Sequence, residues 1–416
     1  MIIKPKGCHD IYGYEAKRWQ YVSKVIDSLM EKYNYNFIRT PIFESSEVFH
    51  RGVGETTDIV SKETYDFKDR GDRSMTLRPE GTAGIVRSFV ENKMYGDATQ
   101  PIKLYYNGTM YRYERPQSGR DRELTQFGVE VLGSDDPIID AEVISIPVNL
   151  FKLLGLKEVK VKINTLGDIE SRNMYRDALV EHFSKYINEL CPDCQERYKK
   201  NPMRILDCKN KNCGEITKNA PIILDYMCEE CDTHFTEVKK YLDALNIPYT
   251  VDPGIVRGLD YYTKTIFEIL NDDFTVCGGG RYDRLIEQLG GPEMPAVGFG
   301  LGIERLLLTL QNEGIEIPNE GLYDLYIGAR GEDGKLASFK LANALRTRGI
   351  KTEINHMGRS LKAEMKYANK IGAKFTVVLG DDELQTGNAK LKRMSDGEQF
   401  EVNLNNIEEI VAILNS

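Results

Sequence analysis

The chain has 416 residues, of which 41% are hydrophobic and 29% are charged, and its formal net charge is −9 at pH 7. This length and composition predict a globular protein of two or three domains. The negative charge excludes nucleic-acid binding over the whole surface, so such a partner would need a local basic patch.

The N-terminal residues do not resemble a signal peptide, and no apolar run is long enough to span a membrane. We therefore expect a cytoplasmic location and no membrane partner. In a reducing compartment, the eight cysteines are more often thiols or metal ligands than disulfides.

The first part of the chain predicts a helix followed by strands. Residues 17–34 have helical periodicity, and their apolar residues share one face: Trp19, Val22, Ile26 and Leu29. Residues 36–42 are predicted as a strand that reaches Pro41, where proline marks an edge or a strand end. Residues 102–114 and 122–132 are predicted as a long antiparallel hairpin with the loop PQSGRD. The mixture favours an α+β body on an antiparallel sheet.

A segment of different character follows. Residues from about 170 to 245 hold six of the eight cysteines and helical stretches such as 169–186, which predicts a mainly helical insertion. Strand patterns resume at 254–270 and 274–277.

The last part of the chain predicts a separate domain. The segment GIEIPNEG, 314–321, is interpreted as a linker. Strand and helix patterns then alternate, which indicates a small α/β domain with a parallel sheet. We therefore expect a first domain over 1–320, containing the insertion, and a second over 321–416.

The hairpin concentrates polar side chains. Because side chains alternate across a strand, two sets each share a face: Met110, Arg112 and Glu114, and Arg122, Leu124, Gln126, Gly128 and Glu130. If Arg112 lies on the second set's side, a guanidinium, an amide and a carboxylate surround a bare glycine. That set fits a small zwitterion activated on a phosphate. The alternative is a solvated hairpin with cross-strand ion pairs.

Two further stretches carry candidate binding groups. In TLRPEGTAG, 76–84, Glu80 is presented from a turn, although Glu80 or Thr82 could instead cap a helix. In VRGLDYYTKTIFEI, 256–269, Arg257 precedes two tyrosines that a strand would point to opposite sides, one packing and one meeting a ligand: Tyr261 and Tyr262. The alternative is a tyrosine-rich core strand.

A third stretch is PAVGFGLGIERLLLTL, 295–310. Glycines at every second residue make one strand face bare backbone, which lets a planar ring approach closely: Gly298, Gly300 and Gly302. Arg305 lies in the first turn of the helix that follows, where a cation opposes the helix dipole and needs an anionic partner such as a phosphate.

In combination these stretches resemble class II aminoacyl-tRNA synthetases, specifically the histidyl-tRNA synthetase family. YNYNFIRTPIFE resembles the first class motif, which is used in dimerisation; MYRYERPQSGRDRELTQFGVE resembles the second and GFGLGIERLLL the third. TLRPEGT, RGLDYY and CGGGRYD are similar to the segments that distinguish the histidine-specific members. The resemblance covers nearly the whole chain in the family's order.

The resemblance implies a homodimeric ligase that binds ATP with Mg²⁺ and L-histidine on an antiparallel sheet. Histidine is activated to histidyl-adenylate and transferred to the 3′ end of tRNA(His). The alternative is a non-catalytic, synthetase-like regulatory subunit of ATP phosphoribosyltransferase in histidine biosynthesis. Such relatives tend to lack the RGLDYY segment and the C-terminal domain, both present here.

The resemblance also implies residue roles. Three arginines are expected to be catalytic: Arg112, Arg257 and Arg305. ATP is expected to bind Arg112, Glu114, Arg257, Gly300, Gly302 and Arg305. Histidine is expected to bind Glu80, Gly81, Thr82, Gln126, Glu130, Tyr261 and Tyr262, with its α-amino group at Glu80, Thr82 and Gln126 and its imidazole at Glu130 and one tyrosine. The tRNA end is expected to meet Arg115, Gln117 and Arg120.

The C-terminal domain resembles the anticodon-binding domain of this class. Residues 335–374 hold ten Lys or Arg against Glu353 and Glu364, a local excess of eight positive charges. Such a patch suits contact with an RNA backbone, although a solvated helical face is the alternative.

The chain departs from the family at three positions. Leu124 and Thr125 stand where the second motif usually has an aromatic residue, which stacks on adenine, and often a histidine. Leucine keeps dispersion contact but lacks the ring quadrupole. Cys8 in KGCHD replaces part of a more usual Gly-Thr pair, which removes a hydroxyl.

Three close cysteine pairs within 41 residues indicate a structural zinc site. The simplest ligand set is Cys191, Cys194, Cys228 and Cys231. Cys208 and Cys213 could replace one of these pairs, and free thiols are the alternative.

Overall fold

A computed structural model describes residues 1–54, 57, 59–272, 274–317 and 323–415. The chain forms two compact units, Met1–Glu316 and Ile317–Ser416. Residues 318–321 of the predicted linker lie outside the described residues. Within the described ranges, every helix is too short or too polar to cross a membrane.

The first helix, α1, spans Gly13–Lys32 and buries the predicted apolar face except for Trp19, which is half-buried. The strand predicted over 36–42 is wrong beyond its start, because β1 spans only Asn36–Phe37. A guanidinium nitrogen of Arg78 donates to the carbonyl of Thr40 at 3.0 Å, so this carbonyl has a side-chain partner in place of a strand. Pro41 has no N–H to continue a ladder.

A small three-stranded sheet precedes the main one, with strand order β2-β4-β3. Its strands are connected by a helix and a π-helical turn, Ile59–Glu63. The elements are β2 (Phe43–Ser45), α2 (Ser46–Val53), β3 (Tyr65–Lys68), β4 (Ser74–Leu77) and the following helix α3 (Thr82–Glu91).

The predicted hairpin is confirmed, with strands slightly shorter than expected. It pairs β5 (Ile102–Tyr111) with β6 (Glu123–Leu132), with Met110 opposite Leu124. A bridge between Gln117 and Arg120 closes its loop.

The main sheet has eight strands in the order β1-β5-β6-β11-β10-β9-β7-β8; its inner pairs are antiparallel and its two end pairs are parallel. The predicted helical insertion lies between β7 and β8. The remaining elements are α4 (Pro137–Leu153), β7 (Lys160–Thr165), α5 (Ile169–Ser184), α6 (Pro192–Lys200), α7 (Lys211–Thr217), α8 (Glu229–Ala244), β8 (Tyr249–Val251), β9 (Thr263–Asn271), β10 (Phe274–Arg281), α9 (Leu285–Gln288), β11 (Ala296–Gly302) and α10 (Ile303–Asn312).

A buried ion pair fixes the end of β10. Arg281 and Asp140 are both inaccessible to solvent, and Arg281 Nη2 lies 2.6 Å from Asp140 Oδ2. His234 of α8 lies 3.4 Å from the same carboxylate. Removing one partner of a buried ion pair strongly destabilises a protein, because the other charge is left buried and unpaired. The pair therefore fixes α4, α8 and the end of β10, next to Tyr282, relative to one another.

The second unit has a five-stranded sheet in the order β13-β12-β14-β15-β16. The predicted parallel strands are confirmed as β12, β13 and β14. An antiparallel hairpin, β15–β16, was not predicted, although its strands alternate buried and exposed residues. The elements are β12 (Tyr323–Ala329), α11 (Gly331–Arg346), β13 (Thr352–Ile354), α12 (Leu361–Lys370), β14 (Ala373–Leu379), α13 (Asp381–Thr386), β15 (Asn388–Arg393), β16 (Gln399–Asn403) and α14 (Ile407–Leu414).

Candidate active site

A cavity of about 730 Å³ lies in the first unit, over the strands of the main sheet. Most residues predicted for the site line it: Glu80, Thr82, Arg112, Glu114, Gln117, Arg120, Gln126, Arg257, Tyr261, Tyr262, Gly300, Gly302 and Arg305. Three others do not: Gly81, Arg115 and Glu130. Gly81 packs against the Tyr106 ring, Arg115 is exposed, and Glu130 is fully buried.

One end of the cavity is built on buried carboxylates. Glu80 accepts the backbone N–H groups of Thr82 at 2.8 Å and Ala83 at 2.7 Å, so it caps α3 and also lines the cavity. Glu130 accepts the Thr82 hydroxyl at 2.7 Å and also the Tyr282 hydroxyl. Burial raises the pKa of both carboxyl groups. A bound cation would offset this desolvation and favour their charged forms.

The two adjacent tyrosines do not face opposite sides as predicted. Strand β9 begins only at Thr263, so Tyr261 and Tyr262 lie in the turn before it. Both are 5% exposed and both line the cavity, with ring centroids 4.7 Å apart.

Tyr106 and Tyr282 belong to this end of the site but were not singled out from the sequence. The Tyr106 hydroxyl donates to Gln126 Oε1 at 3.0 Å. Two sequence features could have identified these residues. Tyr106 is an even number of residues from Arg112, so a strand would place both on one face, and Tyr282 is the tyrosine of CGGGRYD.

The Gln126 amide is already engaged. Its oxygen accepts the Gly81 N–H at 3.2 Å as well as the Tyr106 hydroxyl. These two donors fill the two lone pairs of the oxygen. The predicted contact with a ligand ammonium therefore requires one of these donors to be released.

The glycines of β11 were predicted to leave a bare strand face for a planar ring of the ligand. This prediction is wrong for two of them, because side chains of the protein occupy the space above Gly298 and Gly300. A Cβ at Gly298 would overlap the Glu130 carboxylate, and a Cβ at Gly300 would overlap the Gln126 amide. A Cβ at Gly302 would make only ordinary contact, 3.7 Å from the Arg305 side chain.

Arg257 lies flat over β10. A Cβ at Gly278 would lie 2.6 Å from its Cζ. Its Nη1 bonds Glu268 Oε1 at 2.5 Å, and its guanidinium lies 5.7 Å from the Tyr262 ring centroid. Glycine at 278 is therefore what allows the guanidinium to lie on the sheet.

The opposite end of the cavity is cationic. Arg305 donates to the carbonyls of Gly119 at 3.1 Å and Thr275 at 2.6 Å, and lies over the Phe274 ring at 4.9 Å. Within the described ranges it forms no ion pair with a carboxylate. Burial and the nearby Arg120 lower the pKa of its guanidinium, which an anionic ligand would reverse.

Arg112 and Arg120 share one carboxylate. Arg112 Nη1 lies 3.8 Å and Arg120 Nη1 3.6 Å from Glu114 oxygens, and Arg112 Nε donates to the Pro79 carbonyl at 2.8 Å. Arg122 instead stacks on Tyr113 at 4.0 Å. Of the four hairpin arginines, two therefore line the cavity, Arg115 is exposed, and Arg122 packs on Tyr113.

Two of the three positions that depart from the family pattern, Leu124 and Thr125, lie beside Glu304 or in the same cavity. Leu124 and Glu304 line the cavity, and a Glu304 oxygen accepts the Thr125 N–H at 2.7 Å. Burial raises the Glu304 pKa to about 7. Burial and Glu123 raise the pKa of the Cys8 thiol. Glu304 was not identified from the sequence.

The cysteine pairing predicted first does not form. Cys228 and Cys231 group with Asp168, whereas the other four cysteines of the insertion form a separate group within 4.8 Å: Cys191, Cys194, Cys208 and Cys213. The CxxC spacing alone could not show which pairs meet, because the two CxxC pairs begin different helices, α6 and α8.

In the second unit, the charge count over 335–374 overstates the basic excess. Three of its cations pair with acids outside that window: Lys335 with Glu332, Arg348 with Glu408, and Lys374 with Asp324. Glu364 is fully buried and bonds Arg330 at 2.7 Å.

The antiparallel sheet with the Arg112 hairpin and the β11–α10 segment of Arg305 defines a class II aminoacyl-tRNA synthetase. The sequence model of the histidyl-tRNA synthetase family matches residues 7–306, and that of the anticodon binding domain matches 330–413. The chain belongs to the histidyl-tRNA synthetase family.

Individual relatives agree. A histidine–tRNA ligase from Clostridium novyi (strain NT) is 54% identical over 410 residues, 99% of this chain and 98% of that protein. The structure of apo S. aureus histidyl-tRNA synthetase is 45% identical with a TM-score of 0.85, covering 99% of each chain. A Bacillus halodurans structure named as an ATP phosphoribosyltransferase regulatory subunit/histidyl-tRNA synthetase is 22% identical, with a TM-score of 0.64 over 91% of this chain and 98% of that chain, and shows a shared fold alone. The full-length match to ligases supports an enzyme and not the regulatory-subunit alternative.

Proposed function

We propose that this cavity activates L-histidine with ATP and then transfers the histidyl group to the 3′ end of tRNA(His). The observation that carries the proposal is the division of charge within one cavity. Buried carboxylates, Glu80 and Glu130, lie at or beneath one end, and Arg305 lies at the other. Arg112 lies between them, because it donates to the Pro79 carbonyl and its charge acts on both Glu80 and Arg305. A substrate with a cationic group joined to a carboxylate, activated on a phosphate, satisfies both ends.

At the carboxylate end, Glu80 and the Thr82 hydroxyl receive the α-amino group of histidine. Glu130 lies beneath the cavity wall, so it pairs with one imidazole nitrogen only after the groups that cover it move. One of the cavity tyrosines, Tyr261 or Tyr262, pairs with the other nitrogen. An amino acid without an imidazole leaves these buried groups unpaired, at a cost of about 1–3 kcal/mol for each. Gln126 joins this set only after its oxygen exchanges the Gly81 N–H or the Tyr106 hydroxyl for the ammonium.

Arg305 at the cationic end and Arg112 between the two ends hold the ATP phosphates, and Arg257 lies beside the α-phosphate. A carboxylate oxygen of histidine forms the new bond to the α-phosphorus. The bond between that phosphorus and the bridging oxygen breaks, and pyrophosphate leaves with the electron pair. The protein acts by positioning and by stabilising the charge that develops on the phosphoryl oxygens.

Magnesium accompanies ATP in synthetases of this family, and its chemistry is to neutralise charge on the phosphates. Glu114 fits this ion, because its carboxylate lies at the cationic end of the cavity and carboxylate oxygens are the ligands Mg²⁺ prefers. The cysteines of the insertion do not line the cavity, so a zinc ion bound there would have a structural role.

In the second step the terminal ribose hydroxyl attacks the histidyl carbonyl, the ester bond forms and AMP leaves. The hairpin loop offers Gln117 and Arg120 at the cavity edge, and exposed Arg115 beyond it, for the tRNA end. The second unit would bind the anticodon through exposed cations: Lys340, Lys362, Lys366 and Lys370. The homodimer and the cytoplasmic location stay predictions from the sequence.

Histidine-dependent exchange of pyrophosphate into ATP tests the first step without tRNA. We expect exchange with wild-type protein, and about a 100- to 1,000-fold loss in Arg257→Ala, which lacks the cation beside the reacting phosphorus. Histidine binding without any exchange in the wild-type protein would contradict the proposal.

A further inference from the structure

We propose that Cys191, Cys194, Cys208 and Cys213 bind one Zn²⁺ ion through four sulfurs, and that this ion anchors the segment that carries Asp207 and Lys209 to the active-site cavity. The Sγ atoms of these four residues all lie within 4.8 Å of one another. All eight cysteines of the chain are free thiols.

The sulfur geometry fits a tetrahedral metal. Cys191 Sγ and Cys208 Sγ are 3.8 Å apart. A Zn–S bond of about 2.3 Å in a regular tetrahedron places its sulfurs about 3.8 Å apart, whereas a disulfide needs about 2.05 Å. The separation therefore matches the edge of a zinc tetrathiolate.

The sequence supplies the ligands as structural zinc sites do. One pair is Cys-x₂-Cys at the start of α6, and the other is Cys-x₄-Cys around the start of α7, both within the common zinc spacing. Cys194 and Cys213 are fully buried, and the Cys191 N–H donates to Cys213 Sγ at 3.3 Å. Such N–H donors stabilise sulfur that carries negative charge.

The neighbouring group of Asp168, Cys228 and Cys231 does not meet the same requirements. It supplies three ligand atoms, and the Cys228 thiol already donates to Asp168 Oδ2 at 3.5 Å. The Asp168 side chain also accepts the Ser171 N–H as the N-cap of α5. These contacts account for Cys228 without a metal, which makes it a matched control.

The four cysteines lie next to a segment that borders the active-site cavity. Asp207 and Lys209, on either side of Cys208, both line the active-site cavity. Arg204, in the same segment, donates to the Gly258 carbonyl at 2.8 Å, within RGLDYY. The segment that carries Asp207 and Lys209 has little regular structure of its own. Zinc bound by the two cysteine pairs would therefore restrict the motion of this segment where it borders the cavity.

Zinc binding replaces thiol protons by the metal and releases them to solvent, and it involves no redox step. Metal content does not depend on activity, so the outcome is independent of the proposed function. Full-length wild-type protein, purified without chelator and measured by inductively coupled plasma mass spectrometry, should contain about one zinc per chain.

X-ray absorption at the zinc edge should give four sulfur ligands at about 2.3 Å. Protein without zinc that also takes up none when zinc is supplied, or a first shell with fewer than four sulfurs, overturns the proposal. This measurement uses the wild-type chain, so it does not depend on any variant folding.

Two variants distinguish the ligand sets. Cys208→Ser should lose most of its zinc, whereas Cys228→Ser should retain one per chain. Hydrogen exchange should speed up around residues 190–213 in Cys208→Ser and remain unchanged there in Cys228→Ser. Loss of zinc from Cys228→Ser, or full retention by Cys208→Ser, would show that the four named cysteines are not the ligands.

Discussion

Replacing Gly278 by alanine tests whether the flat seat of Arg257 matters for catalysis. The added methyl would lie 2.6 Å from Arg257 Cζ, whereas carbon atoms in contact are about 3.5–4.0 Å apart. The guanidinium must therefore move by about 1 Å. Gly278 does not have a φ in the left-handed region, and the atoms met belong to the end of a flexible side chain, so folding should change little.

A displacement of about 1 Å in a catalytic group can cost about 100-fold in rate. We expect the kcat of histidine-dependent pyrophosphate exchange to fall about 100-fold in Gly278→Ala, about 2.7 kcal/mol in the barrier. Because Arg257 is proposed to act on the α-phosphorus, the histidine KM should change far less than kcat. Thermal unfolding of both proteins checks that the fold is retained.

The matched control is the same change in an Arg257→Ala background. If the methyl acts by displacing the guanidinium, Gly278→Ala should alter the residual exchange rate by no more than about twofold there, because the displaced group is absent. An equal 100-fold loss in both backgrounds would refute the reasoning and indicate that the methyl obstructs the substrate itself.

Three further predictions concern single side chains. Leu124→Phe should lower the ATP KM by about 1 kcal/mol, roughly fivefold, by restoring an aromatic ring; an unchanged KM counts against stacking at this position. Tyr282→Phe removes a donor to buried Glu130, whose pKa then rises further, so the histidine KM should increase about tenfold at neutral pH while the ATP KM does not. The folded Glu304 pKa of about 7 lies above its ordinary value of 4.5, so its contribution to stability is fully present below pH 4.5 and is lost as the pH rises through 7. Glu304→Gln keeps an acceptor for the Thr125 N–H and cannot ionise. In urea unfolding, its free energy of unfolding should therefore rise relative to that of wild type by up to about 3 kcal/mol between pH 4.5 and 8. Parallel pH profiles of the two proteins would contradict this prediction.

Local patterns were sufficient to predict the elements whose shape depends on near neighbours. The periodicity of α1 and the two long strands around PQSGRD are confirmed, because helix faces and hairpins are set by residues close in sequence. The strand at 36–42 failed for the opposite reason. Its continuation was decided by Arg78, which lies far along the chain and takes the Thr40 carbonyl.

The site residues follow the same division. Glu80 and Arg305 could be identified from the sequence because their positions depend on neighbouring residues. Glu80 lies in a turn before a helix, and Arg305 lies in the first turn of a helix. The grouping of the six cysteines in the insertion could not be predicted from the sequence, because it depends on how α6, α7 and α8 pack together. Tyr261 and Tyr262 were placed wrongly because β9 begins only at Thr263, so the alternation of a strand does not apply to the turn that holds them.

The strand register explains how the two ends of the cavity are brought together. One row of paired residues crosses five neighbouring strands: Tyr106, Gly128, Gly300, Gly278 and Glu268. The three central glycines leave space for three polar groups, since added Cβ atoms would overlap the Tyr106 ring, the Gln126 amide and the Arg257 guanidinium in turn.

These three groups therefore lie side by side on bare backbone, from the carboxylate end to the cation beside Glu268. A side chain at any of the three glycines displaces one of them. The requirement links residues about 150 positions apart through pairing, so it is invisible in any one segment and becomes clear only once β6, β11 and β10 are aligned.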